Sequence, residues 1–256
     1  MIDVSPLRVD VAGPVTTLTL DRPSRLNALD LRMAEALRQA VMQVAASTDT
    51  RIVVLRAAGT AFCGGGDVAA MVAHGDDLPG FIRRMIDTFH SAILGLRRLT
   101  VPVLACVQGA AAGGGWSLAL ACDLVLAARS ARFVVAYPRL GTSADGGLGY
   151  QLTQRLGPWR GFETLALHGH MGAEQAASCG LVNRVVDDAA LNDELARWTQ
   201  EILAVPRQAM AEFKQLVTAQ SDAAFEAHLQ REKQAFLRCA ATAEFAARIR
   251  AFVDKP

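Results

Sequence analysis

Two glycine clusters lie about fifty residues apart, each directly after an apolar run of β character. They are Phe62-Cys63-Gly64-Gly65-Gly66-Asp67 and Gly109-Ala110-Ala111-Ala112-Gly113-Gly114-Gly115-Trp116-Ser117. The first follows Arg51-Ile-Val-Val-Leu-Arg56 and the second follows Val103-Leu-Ala-Cys-Val107. Glycine is unfavourable in regular structure, so such clusters mark backbone in a shape that other residues resist. Two clusters at strand ends can aim two free N–H groups at one point. The second also opens a helical run, Leu118-Ala-Leu-Ala-Cys122, and the orphan N–H groups of a helix start favour negative charge. Two convergent N–H donors make an oxyanion hole, a device of acyl chemistry. The competing reading is that each cluster only permits a tight turn.

Elements of alternating type must carry these loops. Val15–Leu20 alternates as a half-buried strand. Asp30 is placed to cap a helix from Leu31 to about Ala46, with apolar residues at 33, 34, 37, 41 and 44. Residues 51–56 and 103–107 read as buried strands, and 81–98 as an amphipathic helix. A helix over 115–122 precedes short strands at 124–127 and 132–135 and a loop over 141–149. Helices are predicted over 148–156, 158–168 and 173–179, the last stopped by Gly180. A short strand follows at 182–186, and residues 190–256 read as helical with a break at Pro206. The pattern predicts an α/β fold, with a strand–helix core over 1–199 and a helical C-terminal segment over 200–256.

Composition narrows the function classes. The chain has 256 residues, is 52% hydrophobic and carries a net charge of +1. That is enough to bury a large core and too apolar for disorder. The 26 basic residues are spread along the chain, without a stripe for nucleic acid or a membrane surface. No segment reaches the ~18 uninterrupted apolar residues of a membrane span. Met1-Ile-Asp-Val-Ser-Pro lacks the basic-then-apolar pattern of a signal peptide. Five scattered cysteines read as free thiols in a reducing compartment, so a cytoplasmic location is expected. With no CxxC and no HExxH, no metal site is expected.

Several pieces, taken in order, resemble the crotonase family, also called the enoyl-CoA hydratase/isomerase superfamily. They are Arg22-Pro-Ser-Arg-Leu-Asn-Ala-Leu29, Ala61-Phe-Cys-Gly-Gly-Gly-Asp67, Pro102-Val-Leu-Ala with Gly109 and Gly113-Gly-Gly115, Ala121-Cys-Asp123 and Gly180-Leu-Val-Asn183. The resemblance runs from about residue 9 onward. It implies a spiral of ββα turns, a homotrimer or a hexamer of paired trimers joined through the C-terminal helices, and an acyl-CoA thioester as substrate. By position it makes the N–H groups of Gly66 and Gly114 the oxyanion hole. It implies no cofactor beyond the coenzyme A that arrives with the substrate.

For coenzyme A the resemblance points to Asn27, Ala28, Gly64, Asp67 and Val68 along the adenine and pantetheine, and to Arg25 near a phosphate. Phe252 and Lys255 resemble a pair that reaches a neighbouring subunit's nucleotide. Ordinary solvated charge is the competing reading for Arg25 and Lys255. Asp67 and Asp123 read as structural, Asp67 as a helix cap.

Hydratases of this family carry two glutamates that handle water. Here the matching positions are Ser117 and Tyr137, both poor bases near neutral pH. They are expected to shape the acyl pocket instead. One carboxylate falls in the right neighbourhood: Asp145, within Gly141-Thr-Ser-Ala-Asp-Gly-Gly147. In related isomerases an aspartate at this place moves a proton between carbons, and in 4-chlorobenzoyl-CoA dehalogenases it attacks the ring. A turn aspartate bonding its own backbone is the plain alternative. His90 matches a catalytic histidine of the dehalogenases, although many relatives keep a histidine there for packing. The reading is an enoyl-CoA isomerase with Asp145 as proton carrier. A hydratase, a dehalogenase or hydrolase, and an inactive acyl-CoA-binding protein are the alternatives.

Overall fold

The computed structural model describes residues 5–167 and 169–254. In chain order the strands and helices begin β1 (Leu7–Ala12), β2 (Val15–Leu20), α1 (Leu31–Ala46), β3 (Ile52–Ala57), α2 (Val68–Ala73), α3 (Leu78–Arg98) and β4 (Val103–Val107). They continue through β5 (Ala110–Ala112), α4 (Gly114–Leu120), β6 (Leu124–Ala128), β7 (Arg132–Val134), α5 (Tyr137–Leu140) and α6 (Leu148–Ala166). They end with β8 (His170–Gly172), α7 (Ala173–Ser178), β9 (Arg184–Val186), α8 (Leu191–Ala204), α9 (Arg207–Ala240) and α10 (Ala243–Val253).

Six strands form one sheet in the order β1-β2-β3-β4-β6-β9, parallel except for the β1–β2 hairpin. β5, β7 and β8 form a second, smaller sheet. The chain steps from the large sheet to the small one between β4 and β5, and again between β6 and β7. These repeated steps, each closed by a helix, are the stacked ββα turns of the expected spiral. β4 is buried along its whole length and β3 nearly so, as parallel strands covered on both faces must be.

Local chemistry sets the boundaries. The Asp30 side chain accepts from the Met33 N–H at 2.8 Å and starts α1, whose face of Met33, Leu37, Ala40, Val41 and Val44 is buried. Inside α6, Gly157 at φ 77° and ψ 167° splits the run into the two helices that Gly157-Pro158 predicts. The C-terminal segment breaks at Pro206 as expected and again at Ala241–Thr242, where the Thr242 hydroxyl caps α10. α10 then turns back to pack on α2 and α5.

Asp123 is structural, as expected. Its Oδ2 accepts from the Val103 N–H at 2.7 Å and pairs with Lys214 Nζ at 2.8 Å. Lys214 is buried and also donates to the Val101 carbonyl, which fastens α9 to the entry of β4. Among the described residues no helix is long and apolar enough to cross a membrane.

Candidate active site

The two glycine loops lie side by side. Cys63 and Ala111 bridge them through N–H bonds of 3.0 and 2.8 Å, from Cys63 to Ala110 and from Ala112 to Cys63. Gly65 makes this possible: it adopts φ 91°, and a Cβ there would stand 2.8 Å from the Ala112 carbonyl oxygen. Leu29 pins the first loop from the other side, donating to Gly65 and accepting from Asp67. Neither the Gly66 nor the Gly114 N–H is spent on a hydrogen bond among the described residues. Both residues line one cleft of about 510 Å³. Gly114 also opens α4, where N–H groups have no helical partner.

Asp145 lines the same cleft. Its Oδ1 stands 2.6 Å from His90 Nε2 on α3, and its other oxygen takes no hydrogen bond from the described residues. The Asp145 backbone carbonyl accepts from Ser117 Oγ at 2.6 Å and from the Tyr137 hydroxyl at 3.0 Å. The turn that follows is pressed between three helices. A Cβ on Gly146 would lie 2.7 Å from Phe89 on α3 and 2.8 Å from Ser117 Cβ on α4, and one on Gly147 would lie 2.4 Å from Phe225 on α9. From α9, Glu232 accepts from the Gly147 and Gly149 N–H groups at 2.6 and 3.0 Å.

This corrects one expectation. Ser117 is buried behind Asp145 and does not line the cleft, because its hydroxyl is turned to the Asp145 carbonyl. Tyr137 does line the cleft, yet its hydroxyl is committed to the same carbonyl. The two positions that would carry water-handling glutamates instead hold the aspartate loop.

Burial works against charging His90, but the Asp145 charge and hydrogen bond, with Glu232 and Asp87 beyond, outweigh it and raise its pKa above the ordinary histidine value. Burial, then the Asp145 charge, pushes the Tyr137 hydroxyl well above its usual range, so it remains a donor. The Cys63 thiol in the first loop is pushed up to about 12, chiefly by burial, and is inert as a nucleophile. His90, Asp145 and Glu232 each bring a donor atom to within 4.8 Å of the others, a spacing open to a metal ion. Hydrogen bonds already occupy Asp145 Oδ1 and both Glu232 oxygens.

Of the residues expected at coenzyme A, Arg25, Ala28, Gly64, Asp67, Val68 and Phe252 line the cleft. Asp67 also caps α2 through the Ala70 N–H and pairs with Arg22 at 3.0 Å. Asn27 does not line it. Its side chain is buried, accepting from the Arg22 N–H and donating to the Ala58 and Ala61 carbonyls. Phe252 reaches the cleft of its own chain, where the resemblance pointed to a neighbour's, because α10 folds back after Thr242. Lys255 lies outside the described residues. Sequence reasoning missed Glu232. Its one trace is a carboxylate within the otherwise apolar helical stripe Phe225, Leu229, Phe236 and Ala240.

The family pattern described as enoyl-CoA hydratase/isomerase matches residues 11–256. A Mycobacterium bovis protein named probable enoyl-CoA hydratase echA12 is 36% identical over 224 residues, covering 85% of this chain and 79% of that one. The 1,2-epoxyphenylacetyl-CoA isomerase of Escherichia coli K12 is 31% identical over 242 residues, covering 94% and 92%. The crystal structure of an enoyl-CoA hydratase from Mycobacterium avium subsp. paratuberculosis superposes with a TM-score of 0.89 at 26% identity, covering 98% of this chain and 100% of that one. With the spiral fold, the paired glycine loops and this match over nearly its whole length, the chain belongs to the crotonase superfamily, as a member of the enoyl-CoA hydratase/isomerase family.

Proposed function

We propose that the protein is an acyl-CoA isomerase that shifts a carbon–carbon double bond of an enoyl-CoA thioester. Asp145 takes a proton from the carbon α or γ to the thioester and returns it at the other carbon. The Gly66 and Gly114 N–H groups hold the (di)enolate oxygen, where two donors lower the barrier by several kcal/mol. Coenzyme A enters with the substrate, and the thioester supplies the acidity.

One observation carries the reading. Two carboxylates line the cleft among the described residues, and Asp67 is occupied as a cap and in an ion pair with Arg22. That leaves Asp145 as the single available base, with one oxygen fixed by His90 and one free. One base on one face suits proton transfer between carbons; adding water needs a second group to grip it. The resemblance to an acyl-CoA isomerase supports the same choice. The assembly through residues 200–256, as a trimer or paired trimers, is part of the proposal, although α9 and α10 also help to line the cleft.

The test is product analysis by mass spectrometry with 2-enoyl- and 3-enoyl-CoA in heavy water. The expected result is interconversion with deuterium at the α or γ carbon and little 3-hydroxyacyl-CoA. Faster hydration of the 2-enoyl isomer than isomerisation of the 3-enoyl isomer would replace this reading with the hydratase.

The His90–Asp145 contact favours a second reading, in which Asp145 attacks the ring of an aroyl-CoA and displaces halide. Against it, the Asp145 charge and hydrogen bond raise the His90 pKa, which disfavours the neutral ring that would take a proton from water. Halide release from a haloaroyl-CoA, without enoyl isomerisation, would favour it.

A further inference from the structure

Glu232 needs an explanation that the proton transfer does not supply. It lies on α9, almost fully buried, as the charged member of an apolar stripe. A carboxylate leaves water only at considerable cost unless hydrogen bonds replace its hydration. Glu232 has three such partners: the Gly147 and Gly149 N–H groups and His228 Nε2 at 3.1 Å. The two N–H groups are orphan donors at the start of α6, so Glu232 acts as a cap supplied from another helix. Holding both N–H groups takes two acceptor oxygens, Oε2 for Gly147 and Oε1 for Gly149, which a carboxylate offers and a single amide oxygen does not. The negative charge has a second neighbour, the His90 ring, within the cluster shared with Asp145.

We propose that Glu232 is a positioning residue for Asp145: it clamps the turn that follows Asp145, and its carboxylate faces the His90 ring that holds the aspartate. The inference rests on Asp145 being the proton carrier. His90 has no partner at Nδ1 among the described residues. A neutral ring could carry its proton on either nitrogen; with the proton on Nδ1, an Nε2 lone pair would face the Asp145 carboxylate and accept from the Gly146 N–H at 3.4 Å, a weaker hold on the aspartate than an N–H donated to it. A second carboxylate nearby favours the imidazolium, which removes that choice. The groups facing His90 are Asp145 from the loop, Glu232 from α9 with His228 beside it, and Asp87 on its own helix, paired with Lys233. The Tyr137 phenol stands beyond Asp145 and stays neutral.

Two variants separate charge from reach. Glu232→Gln loses the charge and keeps one of the two acceptor oxygens, so the His90 titration reads the charge and turnover reads charge and clamp together. By NMR of labelled histidine in the substrate-free enzyme, His90 should titrate about 1 unit or more lower. Turnover should fall about 10–100-fold with KM for the thioester changed less than about threefold, and the alkaline limb of kcat should move down with His90. Glu232→Asp keeps the charge but is too short for both N–H groups, so turnover should fall while the His90 titration moves much less. Unchanged titration or unchanged turnover in folded Glu232→Gln overturns the proposal. If that variant does not fold, full turnover in Glu232→Asp overturns it. The titration needs no substrate, so an inactive parent enzyme would sink the isomerase reading and leave this arm readable.

Discussion

His90 Nε2 and Asp145 Oδ1 stand 2.6 Å apart, both side chains almost wholly withdrawn from water. The contact ties a helix laid down early in the chain to a loop 55 residues later. It turns a flexible turn aspartate into an oriented group with one engaged oxygen and one open to the cleft. Ser117 and Tyr137 hold the same residue by its backbone carbonyl, so Asp145 is fixed through both its main chain and its side chain.

Asp145→Asn should reduce isomerase turnover by about 10²–10⁴-fold, because the amide cannot accept a proton at carbon-acid strength. Affinity for coenzyme A, measured by calorimetry, should stay within a few fold. Near-normal turnover would remove Asp145 from the chemistry.

Gly114→Pro deletes one N–H at a position where a helix tolerates proline. Turnover should fall about 10²–10³-fold in a variant that thermal unfolding shows to be folded. Gly114→Ala is the control. It keeps the N–H, and its Cβ would press on Leu29 Cδ1 at 2.9 Å, a side-chain end able to move. A larger loss in the alanine variant than in the proline variant would show that bulk, not the donor, matters.

The His90 pair makes stability depend on pH with a definite sign. The folded protein raises the His90 pKa above its unfolded value. The stabilisation is therefore fully present below the unfolded value of about 6.5 and lost as pH rises through the folded one. Urea unfolding of the parent and of His90→Gln should differ most near pH 6 and progressively less toward pH 9. A gap that widens with pH would contradict the ion pair.

Asn27→Ala should lower stability by about 2–4 kcal/mol in urea unfolding. It strands the Arg22 N–H and the Ala58 and Ala61 carbonyls, and it puts alanine at φ 54°, where asparagine is better tolerated. A loss below about 0.5 kcal/mol would mean that water replaces the side chain at little cost.

Local rules were enough for much of this molecule. Asp30 before an apolar stripe marks α1, Gly157-Pro158 marks the split in α6, and glycine loops after buried strands mark the floor of the cleft. Asp145 was legible because its loop sits in a recognisable frame. Glu232 was not, because the two N–H groups it holds lie more than eighty residues away and the apolar stripe around it does not say what a carboxylate there would bond. Ser117 was misplaced for a related reason: sequence position tells that it is near the site, while the direction of its hydroxyl depends on a carbonyl 28 residues later. The turn of α10 back onto α2 and α5 was signalled only by Thr242, a cap residue within a long helical pattern.

The return of α10 has a consequence for how the protein comes into being. The cleft is walled by residues from Ser24 to Val253, so its two ends are made at opposite ends of synthesis. Until α10 has been made and has packed on α2 and α5, Phe252 and Val253 cannot line the pocket. An early-made core of β1 to β4 with both glycine loops therefore leaves apolar cleft surface uncovered until the later helix packs against it.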